Sequence, residues 1–402
     1  MRGLSCKRGR ALCAPLVLLL HTEKRQLKPI AIQLRHEPDD TSPIFLPTDP
    51  VHVWLQAKLW VNLSDACHHM VVGRLLTHMI LESVYVSLRR NLAQSHPIYQ
   101  LLAPHFRSIL PVTHKLKEWM FENGWIARSI QLTHKGIKQL LKRAFKQWRF
   151  DTQANLYREL ESRGVYNPHG LGNYPYRQDA LLIHRIFEKY VNKFVRYVYL
   201  IAVKPFVYHL LTARGTEDLL QDTELQSWRH EIASPMEEGG LGLAGVPGSS
   251  TKVTLRHLGD QGSEFDNLDS TEVFGLITID ETVKFLVGLL HLIVIVAGSA
   301  LRLPMFDEYG FPAHYPLSLF GAPPSDPGVS ESGLLNSRMA SSASSLSNTL
   351  GTERIVASLP NRRMTVEVVL YSRLASRVQQ SLIGQYESDF LFKTQAVTIL
   401  EE

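Results

Sequence analysis

Histidine is the residue whose number and spacing could do chemistry here, with 17 in a chain of 402. His68, His69 and His78 fall within residues 51–90, where apolar residues recur at helical spacing and Gly and Pro are scarce. His96 and His105 follow soon after. Neutral imidazole is a common ligand for zinc, copper and iron. Several histidines on one helix therefore make a candidate non-haem metal site, whereas a lone helical histidine is more often an ordinary core or surface residue. Cysteine does not compete for this role. Cys6, Cys13 and Cys67 are odd in number and lack CxxC spacing, which argues against a disulfide framework or a thiolate zinc site and fits a reducing compartment such as the cytoplasm. The sequence contains no phosphate-cradling glycine loop and no internal repeat.

The elements that must position these groups are mostly helical. Residues 16–34 are the exception: two short apolar runs flank a polar turn at 21–26, the pattern of a β-hairpin. Pro43-Ile-Phe-Leu-Pro47 is an extended, turn-rich piece. Residues 91–111 contain His96-Pro97 and Pro104-His105 and read as a broken connection between helices. Residues 112–124 form a short helix, and residues 132–148 an amphipathic one with Ile137, Leu140, Leu141, Ala144 and Trp148 on its apolar face. Residues 166–177 are a loop, 179–199 a helix, 236–250 a glycine-rich loop, 277–301 a helix and 309–327 irregular. Residues 328–352 are rich in Ser and Asn and read as a mobile loop, before a return to helix at 364–383. The class is mainly α with a small β element, in one domain.

Two segments imitate membrane signals. Arg2, Lys7, Arg8 and Arg10 precede an apolar run to Leu20, as in a signal peptide, but Pro15 interrupts it and no small-residue cleavage site follows. Residues 285–301 are apolar but slightly short for a span, and they hold Gly288, His291 and Gly298, which favours a buried core helix. The net charge of +5 and the Lys135, Lys138, Lys142, Arg143, Lys146 face read as solvated surface. No aromatic residues interleave with the charges, so no nucleic-acid partner is expected.

A wider set of motifs, in a fixed order, carries a family resemblance. Pro29-Ile-Ala-Ile-Gln-Leu34, Pro43–Pro47, Trp54–Lys58, His69, Thr77-His78, Glu82, His96-Pro97-Ile98-Tyr99 and Pro104-His105 resemble the lipoxygenases, from the strands before their central metal-bearing helix to the segment after it. Arg163-Gly-Val165, Tyr174-Pro-Tyr-Arg177, Asp179-Ala180, Glu224-Leu-Gln-Ser-Trp228 and Phe306-Asp-Glu-Tyr-Gly-Phe-Pro312 resemble later segments. The resemblance covers about residues 16–324 of a single partial catalytic domain, a helical bundle around the central helix. The family's N-terminal lipid-associating β-sandwich and the first part of its catalytic domain have no counterpart. Leu200–Gly215 looks inserted. The resemblance implies one non-haem iron, or manganese, and insertion of O2 into a polyunsaturated fatty acid to give a hydroperoxide. It also implies cytoplasmic location with peripheral membrane contact.

The implied ligands are two histidines five residues apart, a His-x-x-x-Asn pair and a C-terminal isoleucine carboxylate. An i, i+5 pair lies about 140° apart on an ideal α-helix, so it needs a π-type distortion to converge. Carried over position by position, His69 matches the first histidine, but Arg74 stands at the second, Gly298 at the third and Arg302 at the asparagine. Ile399 is the candidate terminal match, although Leu400, Glu401 and Glu402 follow it. The stretch to Thr77-His78 is also one residue shorter than the family pattern. Arginine is permanently protonated and has no lone pair to give a metal. His68 points about 100° from His69, His78 lies on roughly the opposite face, and His291 lies on the face of Gly298 but about 10 Å earlier. The expectation is a lipoxygenase-type dioxygenase by resemblance. The alternative is a pseudo-lipoxygenase, with no metal, that binds a fatty acid or a partner.

Overall fold

The computed structural model describes residues 1–22, 26–37, 42–122, 124–169, 171–172, 174–201, 219, 222–247, 253–254, 272–273, 278–300, 316–319 and 322–328. The expected mobile loop at 328–352 and helix at 364–383 fall almost wholly outside them.

The hairpin forms where two apolar runs flank a polar turn. β1 (Leu16–His21) and β2 (Leu27–Gln33) pair antiparallel from Leu16 opposite Gln33 to His21 opposite Leu27. The register shifts between Leu18 and Leu19, where Pro29 lies opposite. Proline has no N–H for the ladder, so a bulge is where a strand tolerates it. The Pro43–Pro47 piece supplies a third strand, β3 (Ile44–Phe45), which pairs with the inner strand through Ile32 and Phe45. Ile32 and Phe45 are buried, whereas Leu16, Leu18, Leu19 and Leu20 of the edge strand are exposed.

The long apolar stretch then runs as one rod in three parts: α1 (Val51–His68), a π-helical segment (His69–Leu76) and α2 (Thr77–Asn91). Residues 91–111 differ from expectation. They contain a helix, α3 (Pro97–Phe106), with Pro97 in its first turn, where a missing N–H costs nothing. The His96 ring caps it, Nδ1 accepting from the Ile98 N–H at 3.1 Å. Pro104 removes a bond near the far end, and the helix stops two residues later. Next come α4 (Ile109–Phe121), α5 (Trp125–Ser129), α6 (His134–Gln147), α7 (Phe150–Gln153) and α8 (Leu156–Ser162). The five basic residues of α6 are exposed, as a solvated face should be. The last long helices are α9 (Pro175–Arg196), α10 (Thr223–Ala233) and α11 (Ile279–Leu290). A Thr278/Glu281 capping box starts α11, and a second long π-helical segment (His291–Ala300) continues it.

Apolar residues gather in two cores. One lies under the sheet, between α1, the first π segment and α4 to α6; the other unites α2, α3, α9, α10 and α11. Helix Ile279–Gly298 is long and apolar enough to cross a membrane, yet 78% of its apolar window is buried within the protein, as the core-helix reading expects. Phe285 joins three elements of the second core, its ring 5.4 Å from Phe150 of α7 and 5.2 Å from Trp228 of α10. Phe285→Ala is expected to lose about 3–5 kcal/mol of stability, measured as a lowered urea midpoint with an unchanged slope.

Candidate functional site

The first π segment carries the sequence-predicted site. In a π turn the N–H of residue i+5 returns to the C=O of residue i, so positions 69 and 74 stack one turn apart on a common side. The distortion required for an i, i+5 pair is therefore present. The side chains it brings together are His69 and Arg74. His69 is partly buried, and its imidazolium is disfavoured down to about 3 by burial first, then by the Arg74 charge and His68. Arg74 is only 4% exposed. Its Nε and Nη1 are fully buried without a hydrogen-bond acceptor.

The other predicted residues do not complete a metal shell. His68 is exposed at the end of α1. His78 is buried on α2, one turn past the π segment, and its carbonyl accepts from the Thr113 hydroxyl at 3.2 Å. Gly298 offers no donor atom, and a Cβ there would meet the Ile293 carbonyl oxygen at 3.0 Å. Arg302 and Ile399 lie outside the described residues. Among the described residues no three of His, Cys, Asp and Glu converge as metal ligands. The iron or manganese that the resemblance implies therefore does not fit this donor set: one imidazole remains, and a fixed cation stands in the second ligand's place.

Two features escape sequence reasoning. The first is a buried histidine pair. His291, at 0% exposure, opens the second π segment, and its ring lies edge-on to that of His184 of α9 at 5.5 Å. In this π segment the Ile293 carbonyl oxygen lies 3.0 Å from where a Cβ on Gly298 would stand. Among the described residues neither ring nitrogen of His291 has a hydrogen-bond partner, nor does Nδ1 of His184. His184 Nε2 lies 3.7 Å from Glu188. Burial lowers the His184 ring to about 4; burial, followed by His184, lowers His291 to about 3.

The second is a polar clasp between motifs distant in sequence. Because His96 Nδ1 accepts from the chain, Nε2 carries the proton and donates to Asp222 at 3.1 Å. The Tyr199 hydroxyl and the Leu225 N–H also donate to Asp222. Burial alone would raise this carboxyl, but the bonds from His96 and Tyr199 hold it below its ordinary range. The Ala93 N–H donates to Glu224 at 2.8 Å, and Asn91 donates to Glu231. The His96-Pro97 and Glu224–Trp228 motifs therefore help lock α2, α3 and α10 together.

The buried rings give stability a definite pH dependence. The unfolded chain takes up protons near 6.5, whereas folded His69, His184 and His291 refuse them until about 3 to 4. The folded state binds fewer protons in that window, so stability is full above about 6.5 and falls as pH drops toward 4. Urea midpoints at neutral and mildly acidic pH are expected to show this decline, and His291→Leu to flatten it.

Comparison with known proteins agrees with this geometry. The family model described as Lipoxygenase matches residues 4–238. The allene oxide synthase-lipoxygenase protein of Plexaura homomalla is 30% identical over 226 residues, 56% of this chain and 20% of that protein. Mouse arachidonate 12-lipoxygenase, 12R-type, is 33% identical over 222 residues, 55% of this chain and 29% of that protein. Among solved structures, coral 8R-lipoxygenase superposes with a TM-score of 0.74 at 21% identity, covering 99% of this chain and 56% of that one. A calcium-dependent 11R-lipoxygenase gives 0.72 at 20%, covering 97% and 55%. The chain thus spans little more than half of these structures and less than a third of those two relatives. With the family's model matched over more than half its length, its fold, and the π turn at the metal-helix position, the chain belongs to the lipoxygenase family.

Proposed function

We propose that the chain handles polyunsaturated fatty acids, and that its present role is to bind them without oxygenating them. The substrate class and the general reaction follow the family. Relatives carry names such as arachidonate 12-lipoxygenase and polyunsaturated fatty acid lipoxygenase, and a lipoxygenase of the same fold is described in complex with arachidonate. Family membership alone therefore points to an oxidoreductase, a dioxygenase that adds O2 to such a lipid through iron or manganese. The residues of this chain favour the second reading, and Arg74 is the observation that carries it. A guanidinium buried beside His69 puts a fixed positive charge and no lone pair where the metal helix needs a donor. A divalent ion at that position would meet repulsion on one side and one imidazole on the other. The leucines exposed along β1 support peripheral membrane contact, and three free cysteines without CxxC spacing fit a reducing compartment such as the cytoplasm.

The test combines two measurements on the purified chain. Elemental mass spectrometry is expected to find iron and manganese far below one per chain. Dioxygen uptake with linoleic or arachidonic acid is expected at background, while both acids bind. Near-stoichiometric metal together with dioxygen uptake would return the dioxygenase reading. The site also predicts a stability effect. Arg74→Met removes an uncompensated buried charge and is expected to raise unfolding stability by about 1 kcal/mol or more in the absence of lipid. A clear drop in the melting temperature of that variant would show that the protein itself satisfies the guanidinium.

A further inference from the structure

Among the described residues Arg74 is a buried cation without a counter-ion. It is 4% exposed, Nε and Nη1 lack acceptors, and no carboxylate among the described residues pairs with it. A buried lysine could shed its proton to escape this situation, but a guanidinium cannot. Leaving such a charge uncompensated is strongly destabilising, so a fold that keeps it has a use for an anion there. Nε and Nη1 each form one half of a two-pronged edge whose other half is Nη2. Either edge presents two parallel N–H groups, the geometry that a planar carboxylate fills.

The surroundings narrow the anion further. The π segment that positions Arg74 also buries Met70, Val71, Leu75 and Leu76, and it packs against α6, whose Ile137 and Leu140 are buried. The residues around Arg74 are apolar core residues, an environment that suits an acyl chain and not a hydrated phosphate. His69 stays neutral beside the guanidinium, adding no second positive charge.

We propose that Arg74 has converted the metal position into a carboxylate-binding site, in which the guanidinium supplies the positive charge and grips a carboxylate end-on or side-on. The carboxylate belongs either to the head of a long-chain fatty acid or to a small free acid. For the first source, the inference rests on the lipid-binding reading above and deepens it: the lipid enters head first toward the π turn.

Calorimetric titration of the full chain separates the possibilities, with arachidonic acid, the alcohol of the same chain and sodium acetate as probes. The wild type is expected to bind the acid at least tenfold more tightly than the alcohol. In Arg74→Met that preference is expected to vanish through weaker acid binding, with alcohol binding unchanged. Arg74→Lys, which keeps the charge but loses the fork, is expected to fall between them, and it controls for variants that fold poorly. Arg74-dependent binding of acetate, without preference for the fatty acid over its alcohol, would assign the site to a small free acid. Equal binding of acid and alcohol by the wild type, with no acetate effect, would overturn the carboxylate site and leave lipid binding intact. An acid preference that survives Arg74→Met would do the same. If no lipid binds, the lipid reading fails and acetate alone decides. Stabilisation by acetate over sodium chloride at equal ionic strength, lost in Arg74→Met, keeps the site; its absence removes it.

Discussion

The switch of main-chain hydrogen bonding from i→i+4 to i→i+5 governs where His69, Arg74 and His291 point. It occurs twice in long form, at His69–Leu76 between α1 and α2 and at His291–Ala300 directly after α11. A wider turn is less well packed and weaker than an α turn, so it survives only where neighbours clamp it. The first segment is held between α1, α2, α4 and α6, and the second is surrounded by α2, α3 and α9. The polar clasp of Asp222 and Glu231 fixes α10 against the loop and helix ends on either side of α3. Much of the core can be understood as the frame that keeps two distorted turns in place.

The first π segment brings residues 69 and 74 to a common side, and the side chain it presents at 74 is a donor of hydrogen bonds with no electron pair to give. Anything that binds to that side chain must therefore bring oxygen lone pairs of its own.

The sequence revealed the local elements and the motif order, and much less of the tertiary arrangement. Two apolar runs about a polar turn in residues 16–34 and helical periodicity in residues 51–90 are local signals, and both emerge as read. A π turn between positions 69 and 74 was also to be expected, because the i, i+5 ligand pair that the family resemblance implies cannot converge on an α-helix. The helix at Pro97–Phe106 was not, because proline marks both a helix start and a helix break, and only the His96 cap decides between them. The His184–His291 pair was invisible for a different reason. Its members lie on α9 and the second π segment, and nothing local to either residue indicates that the two rings meet.

The sheet carries a consequence of its own. β1 is an edge strand with leucines exposed at 16, 18, 19 and 20, and its outer row of main-chain N–H and C=O groups faces outward. Proteins usually blunt such an edge with lysine, proline or a covering element. Here the bulge beside Pro29 twists the strand pair but leaves the greasy run uninterrupted. Two chains meeting at these edges could continue one another's ladder. The four exposed leucines of one hairpin strand therefore make this edge the place where two copies would associate at high concentration.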